Sequence, residues 1–328
     1  MDWTKIPRLF EQYALGKTGA DPSPAAFWYL PEIARLEVRD CIDRLTVAGQ
    51  PTPFYPIDFT SKISYPLLHP DAPIPLLNYG GNIGRAVNPE AVFQYLLGVH
   101  DSALSSGSLA QRDLFLSGAE FMRARQAATG EFWYDFNWYE CHAPWASFLG
   151  QSRGASVMLR AWKISGDSSF REAAAAAVAR ADVPVEEGGF LATHPVAGCK
   201  YYEEYPATAN AVFNGYLSSL FGLWEAATIG ESEVDAHRFS NGISTVCKIL
   251  PAYLLGWWSI YDLSGSTRFP NVHSPRYHRL VGYYLRTLAV LSQDARILAA
   301  WHDWHALDVW PNRSAAVAVK AARKILYR

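Results

Sequence analysis

The chain has 328 residues, long enough for one large domain or two smaller ones with a sizeable buried core. Its formal net charge of −2 provides no basic field, so we expect no nucleic-acid partner, and an anionic substrate would need a local basic cleft. The longest apolar stretch, residues 249–258, is too short to span a bilayer, and the N-terminus lacks the pattern of a signal peptide. We therefore expect no membrane span, and the lack of a leader favours the cytoplasm.

Helical patterns dominate the chain from residue 88 onward. Before it, the sequence predicts a short helix within residues 1–25, a helix over 27–48 and a proline-rich extended crossing over 50–75. Asn88 and Pro89 are typical of a helix start, as capping residue and first helical position. Apolar periodicity then predicts helices over 107–128, 145–165, 168–181, 208–228, 232–254, 275–292 and 314–327.

Repeated helix–turn–helix units with little strand signal predict a mainly α protein, an incomplete (α/α) barrel or toroid of helical hairpins. Residues 132–139 alternate like a strand, so short β-hairpins are expected to rim the end where the connecting loops gather. We assign residues 1–80 to an N-terminal helical and proline-rich extended segment packed on the barrel. Residues 81–328 form the barrel itself.

Residues 201–206, Tyr-Tyr-Glu-Glu-Tyr-Pro, form the most informative motif of the chain. Pro206 pushes the preceding residue towards extended geometry, so two carboxylates and three phenols lie on a short stiff segment at a helix entrance. Catalytic groups are often mounted in this way, and a solvated turn is the alternative. An aromatic content of 14% is typical of proteins that stack rings on sugars, and equally of an aromatic core.

Metal and cofactor signals are weak. The four cysteines form no CxxC pair, so we expect free buried thiols rather than a zinc site. His302 and His305 have a spacing that can bind metal, but the sequence offers no third ligand, and a surface helix end explains them better. We expect neither a metal nor an organic cofactor.

Four blocks of sequence, in a fixed order, carry a family resemblance. They are Pro144-Trp145 with Gly150-Gln151 and Leu159-Arg160; Gly188-Gly189-Phe190; Tyr202-Glu203-Glu204-Tyr205-Pro206 with Asn214-Gly215; and Trp258-Ser259-Ile260-Tyr261-Asp262-Leu263, with Tyr277-His278 beyond. Over residues 80–300 the chain resembles the C-terminal helical domain of the D-glucuronyl C5-epimerases, which convert glucuronate to iduronate within heparan-type chains. Ser264 departs from the family, which often has an arginine there, and residues 1–80 leave no room for the β-rich domain of animal members.

The resemblance implies that Glu204, Tyr261 and Tyr277 are catalytic. Inverting C5 requires a base on one face of the carbon and an acid on the other. Glu204 and Tyr277 are predicted for the two faces, and Tyr261 for donating to the developing charge or sharing proton transfer. Because a free phenol has a pKa of about 10, a phenolate needs a nearby arginine, for which Arg276, Arg268, Arg153 and Arg160 are the candidates.

The predicted substrate-binding residues are Tyr202, Tyr205, Asn214, Trp145, Gln151, Arg153, Arg268, Arg276 and His278. The implied partner is an acidic glycan, a glucuronate-containing polysaccharide or oligosaccharide of the heparosan or heparan kind. Homodimerisation is left open. Glu203 and Tyr205 are expected to hold Glu204 in place.

Two other functional classes compete with an epimerase. A polysaccharide lyase on the same barrel type begins with the same proton abstraction, and a uronyl hydrolase requires facing carboxylates. Glu203 and Glu204 are adjacent on an extended segment and would point apart, so they make a poor hydrolase pair. A non-catalytic glycan-binding module would keep the aromatic residues yet tolerate loss of Glu204, Tyr261 and Tyr277.

Overall fold

The computed structural model describes residues 23–34, 54–66, 68–208, 210–264 and 270–326. Over these ranges the protein is mainly helical, as predicted, with three small two-stranded sheets. The N-terminal part contains α1 (Pro24–Trp28), β1 (Ile33–Ala34), β2 (Ile57–Asp58), a 3-10 helix (Thr60–Ser64), β3 (Leu77–Gly80) and β4 (Gly84–Ala86). The first long helices are α2 (Pro89–Ser106), α3 (Leu109–Ala124), α4 (Phe148–Ser165) and α5 (Ser168–Val178). They are followed by β5 (Leu191–Thr193), β6 (Lys200–Tyr202), α6 (Phe213–Thr228), α7 (Glu233–Ile249), α8 (Pro275–Ser292), α9 (Ala295–Ala306) and α10 (Trp310–Leu326).

The long helices begin at the capping signals that their sequences carry. The Asn88 side chain accepts a hydrogen bond from the Ala91 amide, and Pro89 opens α2 as predicted. Ser274 accepts from the Tyr277 amide at the start of α8 in the same way. These caps satisfy amides that the helix itself leaves unpaired, so they determine where each helix starts.

The helices pack as two layers. α2, α4, α6 and α8 lie side by side as inner helices, while α3, α5, α7 and α9 each pack behind the inner helix that precedes them. The inner helices are buried on nearly every side; residues 213–226 of α6 are all buried. At Gly222 an added Cβ would lie 2.1 Å from the Ser152 carbonyl oxygen, so α4 and α6 approach as closely as they do because no side chain intervenes.

The described N-terminal segments connect the two ends of this inner row. β1 contacts α8, and the 3-10 helix contacts α2. Phe27, Tyr55 and Phe59 are fully buried in the same hydrophobic core as the long helices. The described parts of residues 1–80 are thus integrated with the helices.

Several predicted bounds are wrong. The helix expected over residues 27–48 ends at Trp28; Pro31 follows, which cannot continue a helix, and Ile33–Ala34 is a strand. Residues 35–48 lie outside the described ranges, as do residues 1–22. The helix α9 was not predicted, and the predicted helix over 232–254 stops at Ile249, where a proline follows within two residues.

The remaining expectations for the chain concern thiols and membranes. Cys141, Cys199 and Cys247 are free thiols, but only Cys141 is buried, and Cys41 lies outside the described residues. Among the helices of the described ranges, none has the length and apolar content that crossing a bilayer demands.

Candidate active site

A cleft of about 910 Å³ lies at the N-terminal ends of the inner helices. Each inner helix contributes side chains from its first turns: Glu90 from α2, Arg153 from α4, Asn214 from α6 and Tyr277 from α8. The N-terminus of a helix carries a partial positive charge, so four such ends directed at one cavity favour an anionic ligand. The connecting segments complete the walls.

Glu204 enters this cleft from the segment after β6, and Glu203 holds that segment in place. The buried Glu203 carboxylate accepts hydrogen bonds from the amides of Glu204 at 3.0 Å, Tyr205 at 3.3 Å and Ala211 at 3.1 Å, and from the Tyr201 hydroxyl. Glu203 is therefore committed to the backbone, as expected. The Glu204 side chain points the other way, into the cleft.

The Glu204 carboxyl group lies in a buried, crowded position. An added Cβ on Gly215 would be 2.0 Å from Glu204 Oε2, so the carboxyl group occupies the space that any larger residue would fill. Burial raises the pKa of Glu204 to about 8, against the opposing effect of the Tyr205 hydroxyl. This carboxyl group can therefore carry or release a proton near neutral pH, which suits general acid–base work.

Tyr261 and Tyr277 meet beside Glu204. Their rings form an edge-to-face pair with centroids 5.4 Å apart. Burial raises the pKa of each phenol well above its usual value, and the nearby Glu204 raises both further. Both phenols are therefore neutral hydroxyl donors at neutral pH. The structure thus brings together the three residues predicted to be catalytic.

The predicted arginines differ in what they can do. Arg276 lines the cleft, but its guanidinium donates to the carbonyl oxygens of Trp28 at 2.8 Å, Tyr29 at 2.9 Å and Leu30 at 2.8 Å. It anchors the N-terminal segment and lowers the pKa of Tyr277 only weakly against burial. Arg268 lies outside the described residues.

The other two arginines extend from α4 and form buried ion pairs. Arg153 lies 3.0 Å from Glu90 across the inner row and lines the cleft. Arg160 forms two hydrogen bonds to Glu225, at 2.7 and 2.5 Å, deep between α4 and α6. Because Arg160 is not among the lining residues, it does not supply the field that the sequence suggested for it.

Three predicted substrate contacts lie outside the cleft. The Gln151 amide is occupied by backbone groups, accepting from the Phe132 amide and donating to the carbonyls of Gly130 and Ala177. His278 and Tyr202 are also absent from the lining residues, and both are buried.

Each of these two side chains packs against neighbouring aromatic rings. His278 stacks between the rings of Trp258 and Trp304, at centroid distances of 4.0 and 4.9 Å. Tyr202 packs on Phe148 at 4.6 Å in the hydrophobic core. The assignment of substrate contact to Gln151, His278 and Tyr202 is therefore corrected to a structural role.

An aromatic wall forms one side of the cleft, built by residues 134–145 together with Tyr205. Trp145 stacks on Tyr134 at 4.1 Å and lies 5.8 Å from Tyr205, the residue that follows Glu204. Trp138 and Tyr139 extend the wall outward, and Tyr139 is 76% exposed. Backbone pairing of Tyr134 with Trp145 gives this rim the short hairpin character that was predicted. Such a wall can stack on sugar rings.

Polar atoms without a partner among the described residues face the same space. They are Glu204 Oε2, Asn214 Oδ1 and Glu90 Oε2. Burial raises the pKa of Glu90 to about 7, while Arg153 opposes the rise. Buried polar atoms normally have hydrogen-bond partners, so these atoms identify positions where a ligand would bind. Within the described ranges, no three potential metal ligands of the His, Cys, Asp or Glu type are grouped.

Sequence reasoning missed a basic edge on the last helix. Lys320, Arg323 and Lys324 of α10 all line the cleft. Their spacing of three and four residues places them on one face of a helix, which was a detectable signal. It was overlooked because α10 lies beyond every recognised motif. These side chains provide the local basic cleft that an anionic substrate requires.

Comparison with known proteins agrees with this geometry. The family profile of the D-glucuronyl C5-epimerase C-terminus matches residues 126–306, more than half of the chain. The chain is 30% identical over 176 residues to D-glucuronyl C5-epimerase from Caenorhabditis elegans, covering 49% of this chain and 28% of that protein. It is 27% identical over 151 residues to an uncharacterised protein from Methanocaldococcus jannaschii, covering 45% of this chain and 48% of that protein. The chain thus spans less than half the length of either relative.

Proposed function

The chain belongs to the D-glucuronyl C5-epimerase family, and we propose that it is a uronate C5-epimerase that interconverts D-glucuronate and L-iduronate in a heparosan- or heparan-like polysaccharide. One observation carries the proposal: Glu204, Tyr261 and Tyr277 converge in a cleft with a basic edge. All three lie inside the matched range. The likeness to the nematode epimerase supports an isomerase of this class.

The proposed reaction breaks and remakes one C–H bond. The ionised Glu204 carboxylate takes the C5 proton, and the electron pair of that bond moves into the substrate carboxylate, giving an enolate-like intermediate. A phenol of Tyr277 or Tyr261 then returns a proton to C5 from the opposite face. The pKa values support this assignment, because Glu204 is the group of the three that ionises near neutral pH, while both phenols hold their protons.

The protonation states left after one turnover also permit the reverse reaction. One turnover leaves Glu204 protonated and one phenol ionised. The reverse conversion, from iduronate to glucuronate, can start directly from that state, with the phenolate as base and Glu204 as acid. A second forward turnover requires the proton to pass back from Glu204 to the phenol, directly or through water.

The substrate class follows from the walls of the cleft. The proposed acidic glycan would present its carboxylates to the basic edge of Lys320, Arg323 and Lys324, and its sugar rings to the aromatic wall. We also propose that the helical layers form an incomplete (α/α) barrel. The side-by-side inner helices and the N-terminal segments between α8 and α2 support that arrangement.

Isotope exchange tests the function. The protein is incubated with heparosan in heavy water, and the H5 signal of the uronate is followed by NMR. Loss of that signal with appearance of iduronate is the expected result. Glu204→Gln and Tyr277→Phe should each reduce exchange by about a thousandfold, because each removes a proton-transfer group.

Other outcomes identify the competing functions. A C4–C5 double bond, detected by its ultraviolet absorbance, would identify a lyase, and new reducing ends without that absorbance would identify a hydrolase. Binding without any bond change would identify a glycan-binding module. Full exchange in Glu204→Gln would contradict the role given to that carboxyl group.

A further inference from the structure

Lys320 is a cation in the cleft, and it lies outside the residues that the family profile matches. It lies on α10, beyond residue 306, where the matched range ends. Its Nζ is 5.4 Å from the centroid of the Tyr261 ring, over the ring face. The ammonium group is thus next to one of the three converging side chains.

A single asparagine fixes the ammonium group there. Lys320 Nζ donates to Asn271 Oδ1 at 3.2 Å and to the Val272 carbonyl at 2.9 Å. The Asn271 carbonyl accepts from the Tyr261 amide at 2.6 Å, and Asn271 Nδ2 donates to Asp262 Oδ2 at 2.7 Å. Tyr261 and Lys320 are therefore held by the same residue, and their relative position is constrained.

Two arginines that line the cleft hold groups of the protein. The Arg153 guanidinium faces the Glu90 carboxylate at 3.0 Å, and Arg276 is held by three backbone carbonyls. The hydrogen bonds of Lys320 to Asn271 and Val272 place its ammonium group in the cleft wall beside Tyr261, and Asn271 also bridges it to Asp262. Burial lowers the pKa of Lys320 to about 8, while Asp262 favours the charged form. An incoming carboxylate would favour it further.

We propose that Lys320 binds the carboxylate of the reacting uronate and stabilises the charge that this group gains when C5 loses its proton. The inference rests on the proposed function, since it names the group that this chain uses for the carboxylate. Charge that develops in the transition state is best stabilised by a group already in place, and the Asn271 network provides that preorganisation. Ser264, at the position where the resemblance leads one to expect an arginine, carries no charge, so a cation has to come from elsewhere.

Removing the charge from each partner in turn tests the contact. Binding of a heparosan oligosaccharide and of its carboxyl-reduced counterpart, in which glucose replaces glucuronate, is measured by calorimetry. We expect the native protein to prefer the carboxylate form by about tenfold or more, because a hydrogen bond between charged groups contributes about that factor. Lys320→Met should abolish the preference, and Lys320→Arg should retain most of it.

The kinetic measurement uses the same variants. In Lys320→Met, kcat/KM for H5 exchange should fall about a hundredfold, with part of the loss in kcat, because the contact strengthens in the transition state. Lys248→Met, a change at an exposed lysine on the outer helix α7, is the matched control and should behave like the native protein. Circular dichroism checks that each variant is folded.

The two proposals fail in different ways. If the native protein exchanges H5 but Lys320→Met retains both its activity and its carboxylate preference, the role of Lys320 is overturned and the epimerase remains. A native protein that shows no carboxylate preference overturns the contact as well. If the preference is present and depends on Lys320, yet no uronate polymer exchanges, the contact stands and the epimerase proposal is wrong.

Discussion

At the scale of single residues, the position of the Glu204 carboxyl group depends on the absence of a side chain at Gly215. A Cβ there would lie 2.0 Å from Glu204 Oε2 and 3.0 Å from Glu204 Cβ. We expect Gly215→Ala to fold, because the mobile end of a side chain can yield, but to displace the carboxyl group. Since misplacing a catalytic group by about 1 Å costs about a hundredfold in rate, H5 exchange should fall by that factor.

Gly282→Ala is the control for the alanine itself. Gly282 also lies within an inner helix, and its Cβ would meet only Trp304, at an ordinary 3.5 Å. Alanine favours a helix over glycine by about 1 kcal/mol, so this variant should be at least as stable as the native protein, with full exchange. Equal exchange in Gly215→Ala and Gly282→Ala would show that the geometry at Glu204 is not critical.

The adjacent residues Glu203 and Glu204 should respond in opposite ways to the same substitution. Burial raises the pKa of Glu204 from 4.5 to about 8, so its ionisation opposes folding. Below about pH 4.5 the carboxyl group is neutral in both the folded and the unfolded state, and the free energy of unfolding has its full value. This free energy falls progressively as the pH rises towards 8. Glu204→Gln should therefore raise the free energy of unfolding at pH 8 by about 1 to 4 kcal/mol, while reducing exchange by about a thousandfold.

Glu203→Gln should instead destabilise the protein. The new amide group would face amides that now donate to the carboxylate, costing about 1 to 3 kcal/mol. Urea unfolding of both variants at pH 5 and pH 8 measures the two effects. A Glu204→Gln variant less stable than the native protein at pH 8 would contradict the cost assigned to ionising this buried carboxyl group.

At the scale of structural elements, the aromatic wall should contribute to binding rather than to chemistry. Tyr139 is 76% exposed at its outer end, where it contacts the rings of Trp138 and Tyr205 edge to face. Tyr139→Ala should weaken binding of a long oligosaccharide about fivefold, the effect of losing about 1 kcal/mol of ring stacking. Because the role expected of this ring is to stack on the sugar and not to transfer a proton, kcat should be unchanged.

Trp310 offers a matched comparison for that change. It is equally exposed, at 76%, and it is not among the residues that line the cleft. Trp310→Ala should leave both KM and kcat as in the native protein. A rise in KM in both variants would point to a general effect of surface aromatics, whereas a fall in kcat in Tyr139→Ala alone would place that ring closer to the reaction.

At the scale of the whole molecule, local signals predicted most helices and long-range packing decided the rest. The start of α2 was predictable because Asn88 and Pro89 act within one turn. The end of α1 was missed although Pro31, which cannot continue a helix, follows three residues after Trp28. Which helices become inner ones depends on contacts between α2, α4, α6 and α8, which no local pattern contains.

The candidate site could likewise be predicted from local motifs only in part. Glu204, Tyr261 and Tyr277 were predicted from the motifs that carry the family resemblance, and the fold brings them into one cleft. His278 follows Tyr277 directly, but successive helical residues project about 100° apart, so it faces the core instead. Lys320 reaches the cleft from a helix with no motif; its spacing from Arg323 and Lys324 indicates a basic helix face, and the structure shows that this face lines the cleft.

The packing of the inner helices should depend on the buried ion pair between Arg160 of α4 and Glu225 of α6. Arg160→Met would leave the buried Glu225 carboxylate uncompensated, which typically costs about 3 to 5 kcal/mol in unfolding free energy. The double variant Arg160→Met/Glu225→Leu removes both charges and should recover most of that loss, because well-packed apolar residues can replace a buried pair. Urea unfolding measures both effects.

Since neither residue lines the cleft, exchange per folded molecule should remain native in the double variant. Loss of exchange in a stably folded double variant would instead show that this pair acts on the site.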